Sequence, residues 1–584
     1  MFLCVRGSQM RKNSLALGAV AVFLFAATAL ATAEVTVVVG QGTDPVILDP
    51  PMYSDTPTHN VNLLIYDQLY NLTKDGRIEP GLAVDLPKIE ENGTKYTIKI
   101  RSGVRFHNGD KLTIDDVIYS FQRGAFNEKS QMKSIFAMMY DLKKIDDYSF
   151  QFRTGIFDPA KAPAGTHDAD LTSFAARTPY YKPSAFGSQL NQLTWLGASI
   201  VSKAALEKAQ ADGTAKDYGI TWAIGSGPFK FVSWSQGDNV TLVRNKDYYN
   251  TALKTNIDKI VFKTIRDPSA LKTAFLNKEV DLIMNVVPLD AREIEQQGGK
   301  ILSTNGYFGY HYVGFNMKSP RVGQVKADGS PDLSGHYDLT SPSAKLRMAI
   351  LYAINPSDIV NSPDIMDRRG ASTLQFVETL PFGHIENPAD TRIAEGDKKT
   401  GYYNPKKAKE IFASLPASLK QPGSLKCTTL SGSVFVKEAL VVKDQVKKVL
   451  GVDLVNVEQV ALSELATRRR NADPKVWDLL INWTQTDDSY YIFVAFDGNN
   501  TSLLHDTKYY DADAQSWIDK GNALPNGPER NAAYQNAQKE ILKAMPRVPL
   551  VAILGISACQ ANMNGVEIAP SGSFLLNDAT KGVK

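Results

Sequence analysis

The sequence predicts an α/β architecture with at least two lobes, on two observations. Short β-branched runs alternate with amphipathic helical patterns along nearly the whole chain, the order that sheets flanked by helices produce. The length of 584 residues also exceeds what a single hydrophobic core can serve.

The first 33 residues read as a cleavable secretory leader. Arg11 and Lys12 precede an apolar run from Leu15 to Leu30, and Ala31-Thr32-Ala33 supplies the small residues that signal peptidase requires. A transmembrane anchor is the alternative, but the run is short for a span of roughly 20 residues. Cleavage after Ala33 leaves 551 residues. Cys4 lies ahead of the apolar run, so no lipid-bearing cysteine survives, and a soluble periplasmic protein is expected. The start codon is either Met1 or Met10. Arg6, Arg11 and Lys12 leave with the leader, which takes the net charge from +3 to zero. Such a chain has no basic footprint for nucleic acid. Cys427 and Cys559 are expected as buried free thiols, with a bridge left open because sequence does not fix their separation.

The elements follow in order. Val35–Gly40 is β-branched and predicts a buried strand. Val61, Leu64, Ile65 and Leu69 share a helical face. Tyr96, Ile98 and Ile100 alternate with polar residues as a half-buried strand after the Asn92-Gly93 turn. Thr113 and Asp116 form a capping-box variant that starts a helix through Val117, Ile118 and Phe121. Residues 158–188 are rich in Pro, Gly and Ala and predict a surface excursion. From Gly225, two glycines and Pro228 make a turn. Phe229, Phe231 and Trp234 then run out, Gly237-Asp238 turns, and Val240, Leu242 and Val243 return, a hairpin ending at Tyr248-Tyr249. Further strands are expected over 257–265, 280–283 and 307–315. Helices are expected after Asp267-Pro268, over 346–354, after Asn404-Pro405, and over 528–544.

Catalytic constellations are missing from this inventory. The seven histidines are scattered, no Cys-x-x-Cys or His-Glu-x-x-His pattern occurs, and no phosphate loop is present. Gly555-Ile556-Ser557-Ala558-Cys559 lacks the second glycine of a nucleophile elbow. The acids of Asp115-Asp116 and Asp487-Asp488 are adjacent rather than facing. No enzyme activity, cofactor or metal is expected.

The wording of Gly225–Tyr249, GSGPFKFVSWSQGDNVTLVRNKDYY, closely resembles a signature of the peptide/nickel-type (family 5) extracellular solute-binding proteins of ABC importers. The likeness recurs, in family order, at Leu112–Arg123, at Asn277–Ile283 with Lys278 in place of the usual glycine, at Phe315-Asn316 and Leu346–Ile354, at Tyr403–Phe412, and at Pro528–Leu550. The resemblance implies a two-lobed clamshell of the periplasmic-binding-protein kind (type II-like, cluster C), with an extra subdomain inserted in lobe I. Its expected parts are lobe I over 34–80, 191–305 and 541–584, the insertion over 81–190, and lobe II over 306–540. A solute held between the lobes is delivered to an ABC permease complex at the inner membrane, by a receptor expected to be a monomer.

Site residues carry over only where the wording matches. Counting from Asp49-Pro50, the loop that gives main-chain groups to peptide ligands corresponds to Ser54, Asp55 and Thr56; a solvated turn is the alternative. Tyr307 matches an aromatic entering lobe II, or is core. Trp477–Trp483 resembles a cleft-lining strand, so Asn482 and Trp483 are the expected contacts, with a core role for Trp483 left open. Peptide binders usually read Trp-x-x-Asp, whose aspartate pairs with the ligand ammonium. Here Thr486 holds that position. Either Asp487 takes the role through a one-residue bulge, or the amine anchor is missing. Arg468–Arg470 read as a solvated basic run, or as partners of a ligand carboxylate. Oligopeptide is the expected cargo, with an oligosaccharide or opine-like conjugate as runner-up. A secreted hydrolase and a chaperone-like or signalling module are the remote readings.

Overall fold

The computed structural model describes residues 34–584, apart from Ser54, 327–331, 333–334, 336, 381, 387–391, Asp487, Asn499, 501–503 and 583–584. The leader, Ser54 and Asp487 therefore lie outside the described residues. Two large mixed sheets organise the chain. The first has seven strands in the spatial order Lys300–Ser303, Ile556–Cys559, Leu282–Ile283, Thr36–Gln41, Lys259–Thr264, Asn239–Arg244 and Phe229–Ser235. The second has six, in the order Gly370–Ser372, Arg547–Ile553, Gly309–Phe315, Leu479–Gln485, Leu425–Leu430 and Val455–Val460. A third, five-stranded sheet is built within residues 88–183. Each sheet has its own core: Val37, Val39, Leu64 and Phe262 in the first, Phe315, Ile350, Val446 and Ile481 in the second, Ile98, Val117, Phe121 and Phe152 in the third. Several separate cores are the physical answer to a chain too long for one.

The signature hairpin forms as read, Phe229–Ser235 against Asn239–Arg244 with one register shift between Thr241 and Leu242. Its glycines have a packing reason. A Cβ on Gly225 or Gly227 would fall 2.0 and 2.5 Å from the carbonyl oxygens of Ile65 and Leu64. Gly227 N–H donates to the Ile65 carbonyl at 2.9 Å. That bond also corrects the first helix, expected through Leu69: it spans Thr56–Ile65, because its last carbonyl is spent on the signature turn and Tyr66 is extended. The capped helix spans Ile114–Phe126, with Asp116 accepting from the Thr113 N–H at 2.9 Å. Lys278, in the glycine position of its motif, adopts φ +64°.

Two sequence expectations shift. The segment expected to return to the first lobe at 541 stays with the second sheet as far as Ile553, because Arg547–Ile553 pairs with Gly309–Phe315 along its length. Only Ile556–Cys559 returns to the seven-stranded sheet. The excursion over 158–188 is partly ordered: Tyr181–Pro183 adds a strand to Ser149–Phe157, and Gly187 and Ser188 bond residues near the far end of the chain. Cys427 and Cys559 are buried and unbridged, and burial pushes their thiols up to about 12 and about 11. Among the described residues, no helix is long and apolar enough to cross a membrane.

Candidate ligand cleft

Strand direction locates the crevice. In the seven-stranded sheet Thr36–Gln41 runs parallel to Lys259–Thr264 and Leu282–Ile283. Lys300–Ser303 shares their direction, since it and Leu282–Ile283 are both antiparallel to Ile556–Cys559. In the six-stranded sheet Leu425–Leu430, Val455–Val460 and Leu479–Gln485 are parallel. The chain leaves Ser303 at the carboxyl edge of the first sheet and enters Gly309, which opposes Gln485 at the carboxyl edge of the second. It returns from Ile553 to Ile556 between the same edges. The carboxyl ends of both parallel sets thus meet across two short crossings, and ligands of open α/β sheets bind outside such ends. The crossings are bonded to each other: Thr304 N–H donates to Gly555 O at 3.0 Å, and Gly555 N–H to Thr304 Oγ1 at 3.1 Å.

Trp483 lies near the end of its strand and remains 37% exposed. Its ring stacks on Phe435, centroids 5.0 Å apart and 8° from parallel, so one face is packed while the side chain stays accessible. Phe435 meets His311 edge-on, and His311 bonds the fully buried Glu438 at 2.7 Å. The helix supplying Phe435 and Glu438, Val434–Leu450, was missed in the sequence reading, although Ser433 before it and left-handed Gly451 after it mark its ends. Asn482 is fully buried, and neither amide atom has a partner among the described residues. It sits beside Tyr312, on the face that carries a buried ionic cluster. Asp506 there accepts from Tyr312 at 2.6 Å and from Arg547 at 2.7 Å, with Arg469 at 3.3 Å. Arg468 is bound by Glu458 and Glu464, so two of the three arginines in the basic run are already paired.

The other expected residues are placed as follows. Asp55 is half-buried and caps the first helix through Thr58 N–H at 2.8 Å, while Thr56 is exposed. Tyr307 is half-buried and its carbonyl accepts from Thr379. Thr486 is tied on both sides: its N–H donates to Phe308 O at 2.8 Å, and its hydroxyl accepts from Asp488 N–H at 3.1 Å. Asp488 caps the helix Ser489–Val494 and faces the buried Arg530 at 3.8 Å. Next to it segment 186–195, which follows the third sheet, touches the second body: Trp195 stacks on Tyr491, Phe186 meets Tyr490 edge-on, and Arg530 donates to Ser188 at 2.6 Å.

Comparison with known proteins agrees with this geometry. The model of the bacterial extracellular solute-binding proteins, family 5, matches residues 77–502. The oligopeptide-binding protein AppA of Bacillus subtilis is 22% identical over 550 residues, covering 91% of this chain and 89% of its own. Two solved structures share the fold. An ABC transporter substrate-binding protein, CtaP of Listeria monocytogenes, has a TM-score of 0.73 at 20% identity, covering 94% of this chain and 99% of its own. AppA in complex with a nonapeptide has a TM-score of 0.67 at 20% identity, covering 94% and 100%. These relatives are binding proteins rather than enzymes. With its signature hairpin in place and most of its length matched, the chain belongs to family 5 of the bacterial extracellular solute-binding proteins.

Proposed function

We propose that the chain is the periplasmic receptor of an ABC importer and that its cargo is an oligopeptide. The observation that carries the reading is the exposed, Phe435-stacked ring of Trp483 at the carboxyl edge of one sheet, opposite the matching edge of the other. A rigid, partly exposed aromatic held by stacking is a sequence-tolerant platform for a chain-like ligand. The names of the relatives and the bound nonapeptide of AppA support the same class. On this reading residues 81–190 form the inserted subdomain, the crossings at 304–308 and 554–555 are the hinge, and a monomer hands its cargo to the inner-membrane permease unaltered. Trp483, Tyr307, Asn482 and the loop at Ser54, Asp55 and Thr56 are its contacts. The test is mass spectrometry of what co-purifies, followed by calorimetry with peptide and oligosaccharide mixtures. Trp483→Ala should weaken capture about 10- to 100-fold with little change in melting temperature; oligosaccharide binding without peptide binding would refute the class.

One observation favours a second reading of the cargo. Thr486 occupies the amine-anchor position and is fully bonded locally, and Asp488 is spent on a cap. If Asp487→Asn leaves peptide affinity unchanged, the ligand end facing this region has no free ammonium group, as in a blocked peptide or an opine-like conjugate.

A further inference from the structure

Gln41 ends the central strand of the seven-stranded sheet, at the edge that faces the crossings. It shares the sheet face of Val37 and Val39, the face covered by the first helix. The register pairs Gly40 with Ile283, so Gln41 stands beside Met284. Met284 in turn touches Asn60 of that helix, whose Nδ2 lies 2.8 Å from the methionine sulfur. Gln41 is 5% exposed and Asn60 6%. Despite that burial, both amide atoms of Gln41 and the Oδ1 of Asn60 have no hydrogen-bond partner among the described residues. Buried carboxamides are almost always satisfied, because an unmet amide costs about 1–3 kcal/mol. Three such atoms, from two side chains linked through Met284, gather by the strand end at the edge that faces the crossings, where a polar guest could meet them.

We propose that Gln41 and Asn60 form a neutral subsite that reads one peptide unit of the ligand, in addition to the contacts assigned above; the inference rests on the peptide reading. The chemistry fits an uncharged, planar donor–acceptor group. The Gln41 carboxamide offers an N–H donor and a carbonyl acceptor side by side, which match the C=O and N–H of an amide, and Asn60 Oδ1 adds a second acceptor. Among the described residues, the one hydrogen bond of these side chains is from Asn60 to the neutral Met284 sulfur. The subsite selects amide-bearing cargo without regard to side chains.

The test compares the wild-type protein with Gln41→Leu and Asn60→Leu. Each is incubated with a tryptic digest of casein, retained peptides are identified by mass spectrometry, and one retained peptide is titrated by calorimetry. The Leu variants should bind it about 10-fold or more weakly, while melting in the ligand-free state at the same temperature as wild type or higher, because an unmet buried amide has been removed. Unchanged peptide affinity in both variants overturns the subsite and leaves the peptide reading intact. A lowered melting temperature with affinity retained overturns it too, by assigning the carboxamides a structural role. A wild-type protein that retains no peptide removes the peptide reading first, and the subsite with it.

Discussion

Asp67 and Asp506 are both buried carboxylates, one beside each large sheet, and they titrate in opposite directions. Asp67 accepts from the Ser226 hydroxyl and the Tyr248 hydroxyl, both at 2.8 Å, and has no cation beside it among the described residues. Burial pushes its carboxyl up to about 6, and the two hydroxyls reverse only part of that. Asp506 is at least as dry, and burial acts on it in the same sense, but Arg547 and Arg469, with the Tyr312 hydroxyl, hold it below the usual carboxylate range. The two sites thus handle a buried carboxylate differently. The Asp506 cluster pairs its charge with two arginines. Asp67 is met by neutral hydroxyls, and Gln41 and Asn60 keep amide atoms without a partner among the described residues.

The contrast can be broken most forcefully at Asp506. Asp506→Ala leaves Arg547 buried without its counter-ion and should cost about 3–5 kcal/mol, read from the midpoint of denaturant unfolding. A loss below about 1 kcal/mol would mean that the cluster is solvated and the distinction empty. Asp67 sharpens the same comparison through pH. Its folded value is raised from 3.8 to about 6, so the folded state prefers the protonated form. The group's stabilising contribution is complete below about 3.8 and is lost as pH rises through about 6. Asp67→Asn should therefore stabilise the protein by up to about 3 kcal/mol above pH 7, and the gain should vanish near pH 4. A pH-independent difference between variant and wild type would show that Asp67 is not buried as described. The smallest effect lies at Lys278, a long side chain held at φ +64° in a turn of the same body. Lys278→Gly should raise stability by about 1 kcal/mol, and a decrease in melting temperature would place the value of that lysine in its side chain instead.

Much of the framework was legible because local chemistry dictated it. The Thr113–Asp116 cap, the proline-started helices after Asp267 and Asn404, and the Gly225–Tyr249 hairpin all formed where their residues indicated. The reasons for the signature were less visible. Its glycines exist because a helix end 160 residues earlier presses on them, and Ser226 and Tyr248 exist to meet Asp67. The strand that holds Asn482 and Trp483 could be read from wording alone. Gln41 and Asn60 could not, since an unmet amide is defined by the neighbours a fold fails to supply, and Met284 reaches Asn60 from 224 positions away. The helix Val434–Leu450 carried readable end signals that went unused.

The paired crossings have a mechanical meaning. Thr304 and Gly555 exchange hydrogen bonds in both directions, one of them through the Thr304 hydroxyl, so the two crossings are tied side by side. If these crossings are the hinge proposed above, any swing of the two bodies has to carry both strands of that tied pair together.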